Sequence, residues 1–296
     1  MKKNNNKILT IIVLVIAIIG YLFSDNLTNS YANEANAFNE IEEVITVHYL
    51  DVGQADSIFI ELEDNKTMLI DAGELEDSDY IIDYINNLGY NKINFLVATH
   101  PHADHIGGMQ KVVKNFEVDN VYMPKALTNT KTYENLLKEI DNKNLKIKTA
   151  KAGVTIVDDD NLDIDIIAPN SNTYEDLNNY SACIKLTYQN ITYLFMGDAE
   201  SLSENEIKTD IKADVLKVGH HGSDTSSSVS FLKKVNPSYA IISVGEDNSY
   251  NHPKKEVLDR LKKVGATIYR TDLNGNIVVK TDGNNIKIET TKIALS

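Results

Sequence analysis

The chain has 296 residues, 42% of them hydrophobic, and a formal net charge of −14 at pH 7. It is therefore long enough to bury a substantial core, while its acidic balance excludes a surface that attracts nucleic acid by charge alone. That balance does not exclude work on an anionic substrate where metal ions supply local positive charge. The one cysteine, Cys183, lies in an alternating apolar stretch, which predicts a buried thiol and excludes an internal disulfide.

The N-terminus begins with a lysine-containing segment, residues 1–7, and continues into an uncharged apolar run, residues 8–23. This order is typical of a signal peptide or an N-terminal membrane anchor, and the sequence leaves the choice between them open. Residues 24–43 are polar and rich in asparagine, which predicts a flexible spacer before a domain at 44–296. Because lysines favour the inner side of a membrane, we expect that domain outside the cell or on the outer face of the cytoplasmic membrane.

Runs of strand length, apolar or alternating and bounded by turn residues, follow through the rest of the chain. They predict strands over residues 44–50, 57–62, 66–70, 93–98, 121–123, 154–157, 162–167, 182–188, 191–196, 215–218 and 239–244. Helical spacing of apolar residues predicts helices over residues 79–88, 109–115, 133–140, 229–235 and 254–263. Residues 267–290 are predicted as strands that complete the second sheet. Because strands, a polar loop and then a helix occur twice, we expect two halves packed sheet on sheet with helices outside.

Four potential metal ligands fall within six residues of one loop: His100, His102, Asp104 and His105. The loop follows a predicted strand and precedes two glycines and a predicted helix. Imidazole and carboxylate groups together suit a divalent ion such as zinc, or manganese where oxygen ligands are added. A single histidine here would be interpreted as a solvated loop residue, whereas this spacing predicts a metal site.

The other histidines show the same preference for loops. His220, His221 and His252 also follow predicted strands, and only His48 stands apart. Asp198 ends a predicted hairpin in the same way, although a carboxylate at that place is equally suited to capping the helix that follows. These positions predict that more than one loop contributes to the metal site.

Five motifs together point to a family. Residues 100–105 resemble the His-x-His-x-Asp-His signature of the metallo-β-lactamase fold, and residues 50–57, 69–73, 196–200 and 217–223 resemble further motifs in the expected order. The combination resembles the branch that contains the hydrolase domain of the ComEC/Rec2 DNA-uptake proteins and, as a relative, the phosphorylcholine esterase of teichoic acid. Over residues 44–288 the resemblance implies an α/β fold of the metallo-β-lactamase type, an αββα sandwich of two mixed sheets packed face to face with helices outside.

The resemblance also implies a site with two divalent metal ions, zinc or manganese. The implied metal ligands are His100, His102, Asp104, His105, Asp198 and His221. His100 and His102 would hold the first ion, Asp104, His105 and His221 the second, and Asp198 would bridge them. The implied catalytic residues are Asp104, His220 and His252. Asp71 is expected to cap a turn and to support the ligand loop.

His220 and His221 are assigned different roles. In an extended loop the side chains of adjacent residues diverge, so only one of them can readily complete the second ion's ligand set. The resemblance implies that His221 is this ligand and that His220 faces the substrate.

One stretch departs from the pattern of many metallo-β-lactamase hydrolases. Those enzymes place a further histidine just before the hairpin of the bridging aspartate, but residues 176–181 contain none. The first ion is therefore short of nitrogen ligands, which favours weak binding or manganese. Asn178 or Asn179 is expected to fill the space, and the ComEC-like relatives share the gap.

The function implied by the resemblance is that of an exported, competence-related hydrolase. It would be a phosphodiesterase or nuclease that uses water activated by two metal ions. The expected partners are a phosphoester substrate, such as DNA or a choline-phosphate polymer, and the membrane if the N-terminal segment is uncleaved; the chain is expected to be a monomer. Two alternatives stay open: a β-lactam or thioester hydrolase, and a catalytically silent surface binding module.

Overall fold

Two β-sheets lie at the centre of the structure, a computed structural model that describes residues 45–292. The predicted signal peptide or anchor and the predicted spacer lie outside the described residues. Within residues 45–292, no helix combines the length and the hydrophobicity that crossing a membrane requires.

The strands are short, and the loops that follow several of them carry the predicted site residues. They are β1 (Ile45–Tyr49), β2 (Ile58–Glu61), β3 (Thr67–Ile70), β4 (Lys92–Val97), β5 (Glu117–Met123), β6 (Ile147–Thr149), β7 (Val154–Asp158), β8 (Leu162–Ala168), β9 (Cys183–Tyr188), β10 (Ile191–Phe195), β11 (Val215–Lys217), β12 (Tyr239–Ile242), β13 (Thr267–Arg270), β14 (Ile277–Thr281) and β15 (Ile286–Thr290). The first sheet has the order β15-β14-β1-β2-β3-β4-β5-β6, and the second has the order β13-β12-β11-β10-β9-β8-β7. Both sheets combine parallel and antiparallel pairs.

The helices lie on the outer faces of the sheets. They are α1 (Ser78–Asn87), α2 (Ala103–Ile106), α3 (Met109–Asn115), α4 (Lys131–Asn142), α5 (Ser201–Glu206), α6 (Val229–Val235), α7 (Lys255–Lys263) and α8 (Thr271–Asn274). In α1 the buried residues Ile81 and Ile85 are four positions apart, so they share the face that packs on the first sheet. On the second sheet, Phe231 of α6 and Leu261 of α7 are the buried residues that pack on the sheet.

The hydrophobic core has three layers. The central layer joins the inner faces of the two sheets, where the rings of Tyr49 and Phe195 lie 6.2 Å apart between centroids. The outer layers join each sheet to its own helices, as Leu69 does for the first sheet and Leu216 for the second. The predicted αββα architecture is therefore confirmed.

The C-terminal strands correct one prediction. Only β13 joins the second sheet; β14 and β15 extend the first, where β14 pairs antiparallel with β1 from Ile45–Thr281 to Tyr49–Ile277. The prediction that residues 267–290 complete the second sheet is wrong because a strand's own pattern does not specify which distant edge it pairs with. The short helix α8 lies between β13, in the second sheet, and β14 and β15, in the first.

Parallel pairing brings the predicted site loops to one edge of each sheet. In the first sheet β3, β4 and β5 run parallel, and in the second β10, β11 and β12 do so. Carboxyl ends of parallel strands meet at the same edge, which is where ligands bind in such sheets. The loops at these ends carry Asp71, residues 100–105, Asp198, residues 220–221 and His252.

Candidate metal centre

The loop of residues 100–105 is held against the chain that follows β3. The backbone N–H of Ala72 donates to the carbonyl oxygen of His105 at 2.7 Å. A Cβ on Gly108 would overlap the carbonyl oxygen of Ala72, and a Cβ on Gly107 would press on neighbouring backbone. The two glycines therefore permit a close approach that larger residues would prevent, and this fixes the loop beside Asp71.

Four donor atoms from three loops surround one point: Asp104 Oδ2, His105 Nε2, Asp198 Oδ1 and His221 Nε2. His105 Nε2 lies 3.6 Å from Asp104 Oδ2 and 3.3 Å from Asp198 Oδ1. His221 Nε2 lies 3.4 Å from Asp104 Oδ2 and 3.6 Å from Asp198 Oδ1. Tetrahedral ligands about 2.0–2.2 Å from one ion lie roughly 3.3–3.6 Å from each other, so these four distances match those between the ligands of a tetrahedral ion.

The second carboxylate oxygen of Asp198 faces the other two histidines of the loop. Asp198 Oδ2 lies 3.9 Å from His100 Nε2, and His100 Nε2 lies 3.0 Å from His102 Nδ1. Burial lowers the pKa of His100 well below its ordinary value, which keeps the imidazole neutral as metal binding requires. Oδ1 of Asp198 thus faces His105 and His221, whereas Oδ2 faces His100 and His220, and His102 adjoins this second side through His100.

The buried polar atoms test whether the residues fit metal ions. His105 Nε2, His221 Nε2 and Asp198 Oδ1 are buried and have no hydrogen-bond partner among the described residues. Each buried polar atom without a partner lowers the free energy of unfolding by roughly 1–3 kcal/mol unless a ligand binds it. Burial alone would lower the pKa of His105, but nearby carboxylates, Asp198 first among them, outweigh it and raise that pKa well above its ordinary value. The site attracts positive charge and offers unpartnered ligand atoms, so divalent cations fit it.

Asp71 orients one of the predicted ligands. Its carboxylate accepts hydrogen bonds from the backbone N–H and hydroxyl of Thr99, at 2.8 and 2.6 Å, and from Nδ1 of His105 at 2.7 Å. Because Nδ1 of His105 donates to Asp71, Nε2 of the neutral imidazole carries the lone pair that faces the metal position, where a bound cation would take the place of the second proton. Asp71 thus lies where a positioning residue would support the ligand loop.

Replacing Asp71 by asparagine is therefore expected to lower metal affinity. We expect Asp71→Asn to weaken binding about 10- to 100-fold, as losses of orienting groups do, because the amide no longer fixes the tautomer of His105. A chromogenic-chelator competition measures the change. Asp83→Asn, on the outer helix α1, serves as the control, and an unchanged affinity in Asp71→Asn contradicts the orienting role.

His220 and His221 lie in the turn Gly219–Gly222. This turn directs their side chains apart through a backbone conformation that the sequence did not predict. Both histidines have left-handed backbone angles, with φ of 50° and 52°, so the loop is not extended as expected. Two successive left-handed residues other than glycine are strained by about 1–3 kcal/mol each. The side chains still diverge, with ring centroids 6.3 Å apart and planes at 67°.

His221 lies in the buried part of the site, and His220 lies at its wall. Nδ1 of His221 donates to the carbonyl oxygen of Ser243 at 3.0 Å, which leaves Nε2 for the metal position. The His220 side chain is 22% exposed, and its Nε2 lies 3.6 Å from Asp198 Oδ2. Nδ1 of His220 lies 3.2 Å from the hydroxyl of Thr225. His220 is thus within reach of both the bridging position and the cavity.

A buried ion pair that the sequence analysis missed lies behind His221. Lys217 is fully buried, and its Nζ lies 2.7 Å from Asp56 Oδ2; the other oxygen of Asp56 lies 3.5 Å from Nδ1 of His221. The sequence feature that could have revealed this pair is Lys217 within the otherwise apolar strand, because a charge on a buried strand requires a partner.

A cavity of about 590 Å³ opens onto the metal positions. His252 lines it, 5.9 Å between ring centroids from His220 and stacked 5.7 Å from Tyr250. Burial, together with the neighbouring imidazoles of His220 and His221, lowers the pKa of His252 to about 4. His252 is therefore neutral at pH 7 and reaches the cavity wall as a hydrogen-bonding group.

The two asparagines of the histidine-free stretch have different surroundings. Asn178 lines the cavity, whereas Asn179 donates to Glu200 at 3.1 Å and accepts from the backbone N–H of Ser203 at 3.3 Å. The sequence left the choice between them open, and the structure places Asn178 at the site.

Comparisons with known proteins show which family and which relatives the chain is similar to. The model of the metallo-beta-lactamase superfamily matches residues 50–246. ComE operon protein 3 of Bacillus subtilis is 30% identical over 251 residues, covering 78% of this chain and 32% of that protein. Competence protein ComA of Neisseria gonorrhoeae is 29% identical over 251 residues, covering 83% of this chain and 33% of that protein. The chain thus spans about a third of the length of the competence relatives it matches.

Comparison with solved structures gives the same fold. The metallo-beta-lactamase fold protein YhfI from Bacillus subtilis matches with a TM-score of 0.55 at 11% identity, covering 81% of this chain and 100% of that chain. At this identity the likeness concerns the fold alone.

Proposed function

We propose that this chain, which belongs to the metallo-β-lactamase superfamily, is a metal-dependent phosphodiesterase with two divalent ions. The superfamily is generally one of metal-dependent hydrolases. The observation that carries the proposal is that Asp198 Oδ1 faces His105 and His221, while Oδ2 faces His220 and His100. Asp104, His105 and His221 would hold one ion, His100 and His102 the other, and Asp198 both. Divalent ions in such a pair make water nucleophilic near neutral pH and offset the negative charge of a phosphoryl group.

The cavity wall favours a phosphoester over a lactam or thioester carbonyl. His220 and His252 face the cavity beside the metal positions, and Nδ1 of His252 is buried without a partner among the described residues. A phosphodiester presents two unesterified oxygens that accept hydrogen bonds, so two imidazole donors match it. His220 and His252 would donate hydrogen bonds that steady the charge developing in the transition state. Because His252 is neutral at pH 7, protonation of the leaving oxygen would fall to His220.

The names of the matched relatives direct the choice of substrate. The name of competence protein ComA refers to competence, and the motifs resemble those of the ComEC/Rec2 DNA-uptake proteins. DNA is therefore the first polymer to test, with a choline-phosphate ester as the second. The net charge of −14 means that the metal ions, rather than the protein surface, would attract a polyanion.

A substrate screen tests the proposal. The full chain, loaded with manganese or zinc, should hydrolyse bis(p-nitrophenyl) phosphate and linear DNA, and a chelator should abolish both activities. A chromogenic cephalosporin and a thioester serve as the contrasting substrates. Hydrolysis of either one without diesterase activity contradicts the proposal, and a metal-loaded chain that turns over none of the substrates favours a binding module.

We propose in addition that the domain acts outside the cytoplasmic membrane, on the strength of the basic start and the apolar run at residues 8–23. Protease added to intact cells or protoplasts that produce the chain should degrade the domain and spare a cytoplasmic marker. Equal protection of both proteins until lysis contradicts this location.

A further inference from the structure

One buried polar atom at the cavity wall is not used by the chemistry proposed above. Asn178 is 7% exposed and lines the same cavity as His102 and Asp198. Its Oδ1 is buried and accepts no hydrogen bond from any residue between 45 and 292. A buried acceptor without a partner costs roughly 1–3 kcal/mol, so a bound group that occupies this oxygen would remove the cost.

The backbone of Asn178 is held firmly in place. Asn178 belongs to the turn Leu177–Tyr180, and its N–H donates to the side chain of Asp176 at 2.9 Å. Its carbonyl oxygen accepts from the backbone N–H of Ser181 at 3.0 Å. Because both backbone groups are bonded and Asn179 anchors the turn to the loop and helix after β10, Asn178 is fixed at the cavity wall.

The turn adjoins the His100–His102 cluster through Ser181. The hydroxyl of Ser181 accepts from the backbone N–H of Asp198 at 3.0 Å and lies 3.4 Å from Nδ1 of His100. There His100 Nε2 lies 3.0 Å from His102 Nδ1 and 3.9 Å from Asp198 Oδ2, whereas the cluster around His221 already brings four donor atoms within 4.8 Å of one another. Protein sites for divalent ions use about four ligands or more, so the first cluster is the one that lacks a ligand.

The chemistry of the oxygen indicates what binds it. The unesterified oxygens of a phosphoryl group are acceptors, as Oδ1 is, so an anionic substrate gives this atom no partner. A divalent cation does, because amide carbonyl oxygens are ordinary metal ligands. Water alone would need further polar partners at the same place. The orphaned acceptor therefore matches a cation.

We propose that Asn178 Oδ1 is the missing protein ligand of the ion held by His100, His102 and Asp198. This proposal rests on the two-ion function proposed above and assigns the oxygen that completes its first position. An amide oxygen is a harder base than the imidazole that would otherwise fill this place, and oxygen ligands suit manganese better than zinc. The first position should therefore select manganese over zinc more strongly than the second does.

Metal titration of the full chain tests the assignment without reference to turnover. Stepwise dissociation constants for Mn²⁺ and Zn²⁺ are measured by chelator competition, with metal content checked by mass spectrometry. In Asn178→Ala we expect one of the two constants to weaken about 10-fold or more and the other to stay within about twofold. Asn178→Asp, which keeps an oxygen ligand, should restore binding, and Asn178→His should shift the first position toward zinc.

Asn172→Ala is the matched control, because Asn172 is an exposed asparagine on the loop before the same turn and does not line the metal cavity. It should bind both ions as the wild type does. If the wild type binds two ions and Asn178→Ala binds them unchanged, the ligand role of Asn178 is overturned while the two-ion proposal stands. If the wild type binds fewer than two ions, the two-ion proposal fails and this assignment fails with it.

Discussion

Replacing Asp198 by alanine is expected to lower hydrolysis at least about 100-fold and to reduce the metal content. One carboxylate faces both clusters: Oδ1 lies 3.3 Å from His105 Nε2, and Oδ2 lies 3.9 Å from His100 Nε2. Its removal therefore affects both ions together, which no other predicted ligand does. Kinetics on bis(p-nitrophenyl) phosphate and metal analysis of the same preparation measure the two effects.

The control for this variant is Asp163→Ala, at an exposed position of β8. It should keep wild-type metal content and rate. Asp198→Asn separates charge from shape, since it retains one ligand oxygen and should lose less metal than the alanine variant. Full metal occupancy with normal turnover in Asp198→Ala contradicts a shared carboxylate and with it the dinuclear site.

His221 and His220, though adjacent, should give different losses when replaced by alanine. His221 is buried, and its Nε2 lies 3.4 Å from Asp104 Oδ2 and 3.6 Å from Asp198 Oδ1. His221→Ala should therefore lower metal affinity about 10-fold or more. His220 is partly exposed at the cavity wall, so His220→Ala should retain metal and lose roughly 100-fold in turnover.

Metal analysis and kinetics on both variants separate the roles. His48→Ala is not a suitable control, because His48 is buried between Tyr84 and Glu61 and its loss threatens the fold. Lys233→Ala, exposed on α6, is suitable and should change neither measurement. A metal-poor His220→Ala beside a metal-replete His221→Ala reverses the assignment, and normal values in both remove this turn from the site.

The family and the site loops could be predicted because short motifs specify them. The resemblance read from five motifs is confirmed by the superfamily match and the competence relatives. Helices α3 and α6 begin and end where the apolar spacing predicted, and most strands differ by one or two residues. The roles of the individual site residues stay predictions, to be tested by the variants above.

Features that depend on distant pairing could not be predicted. Strand β14 pairs with β1 across more than two hundred residues of sequence, and β6 is too short and too exposed to show a pattern. The pairing of Asp56 with Lys217 depends equally on the packing of one sheet on the other. A local pattern indicates that an element exists, but the partner that it meets is set by the whole fold.

The conformation of the His220–His221 turn also lay beyond the sequence. Left-handed angles at two successive histidines are unfavourable locally, so propensity alone would reject them. The surrounding contacts hold them, including the bond from His221 to the carbonyl oxygen of Ser243. Asn178 could be distinguished from Asn179 only once the direction of their shared turn was known.

The most direct test of the central claim is anomalous X-ray scattering from crystals of the full chain loaded with manganese or zinc. The account predicts two peaks at the cavity floor, on either side of the carboxylate of Asp198. One peak should lie among Asp104, His105 and His221, and the other beside His100 and His102. A single peak, or peaks away from these side chains, would contradict it.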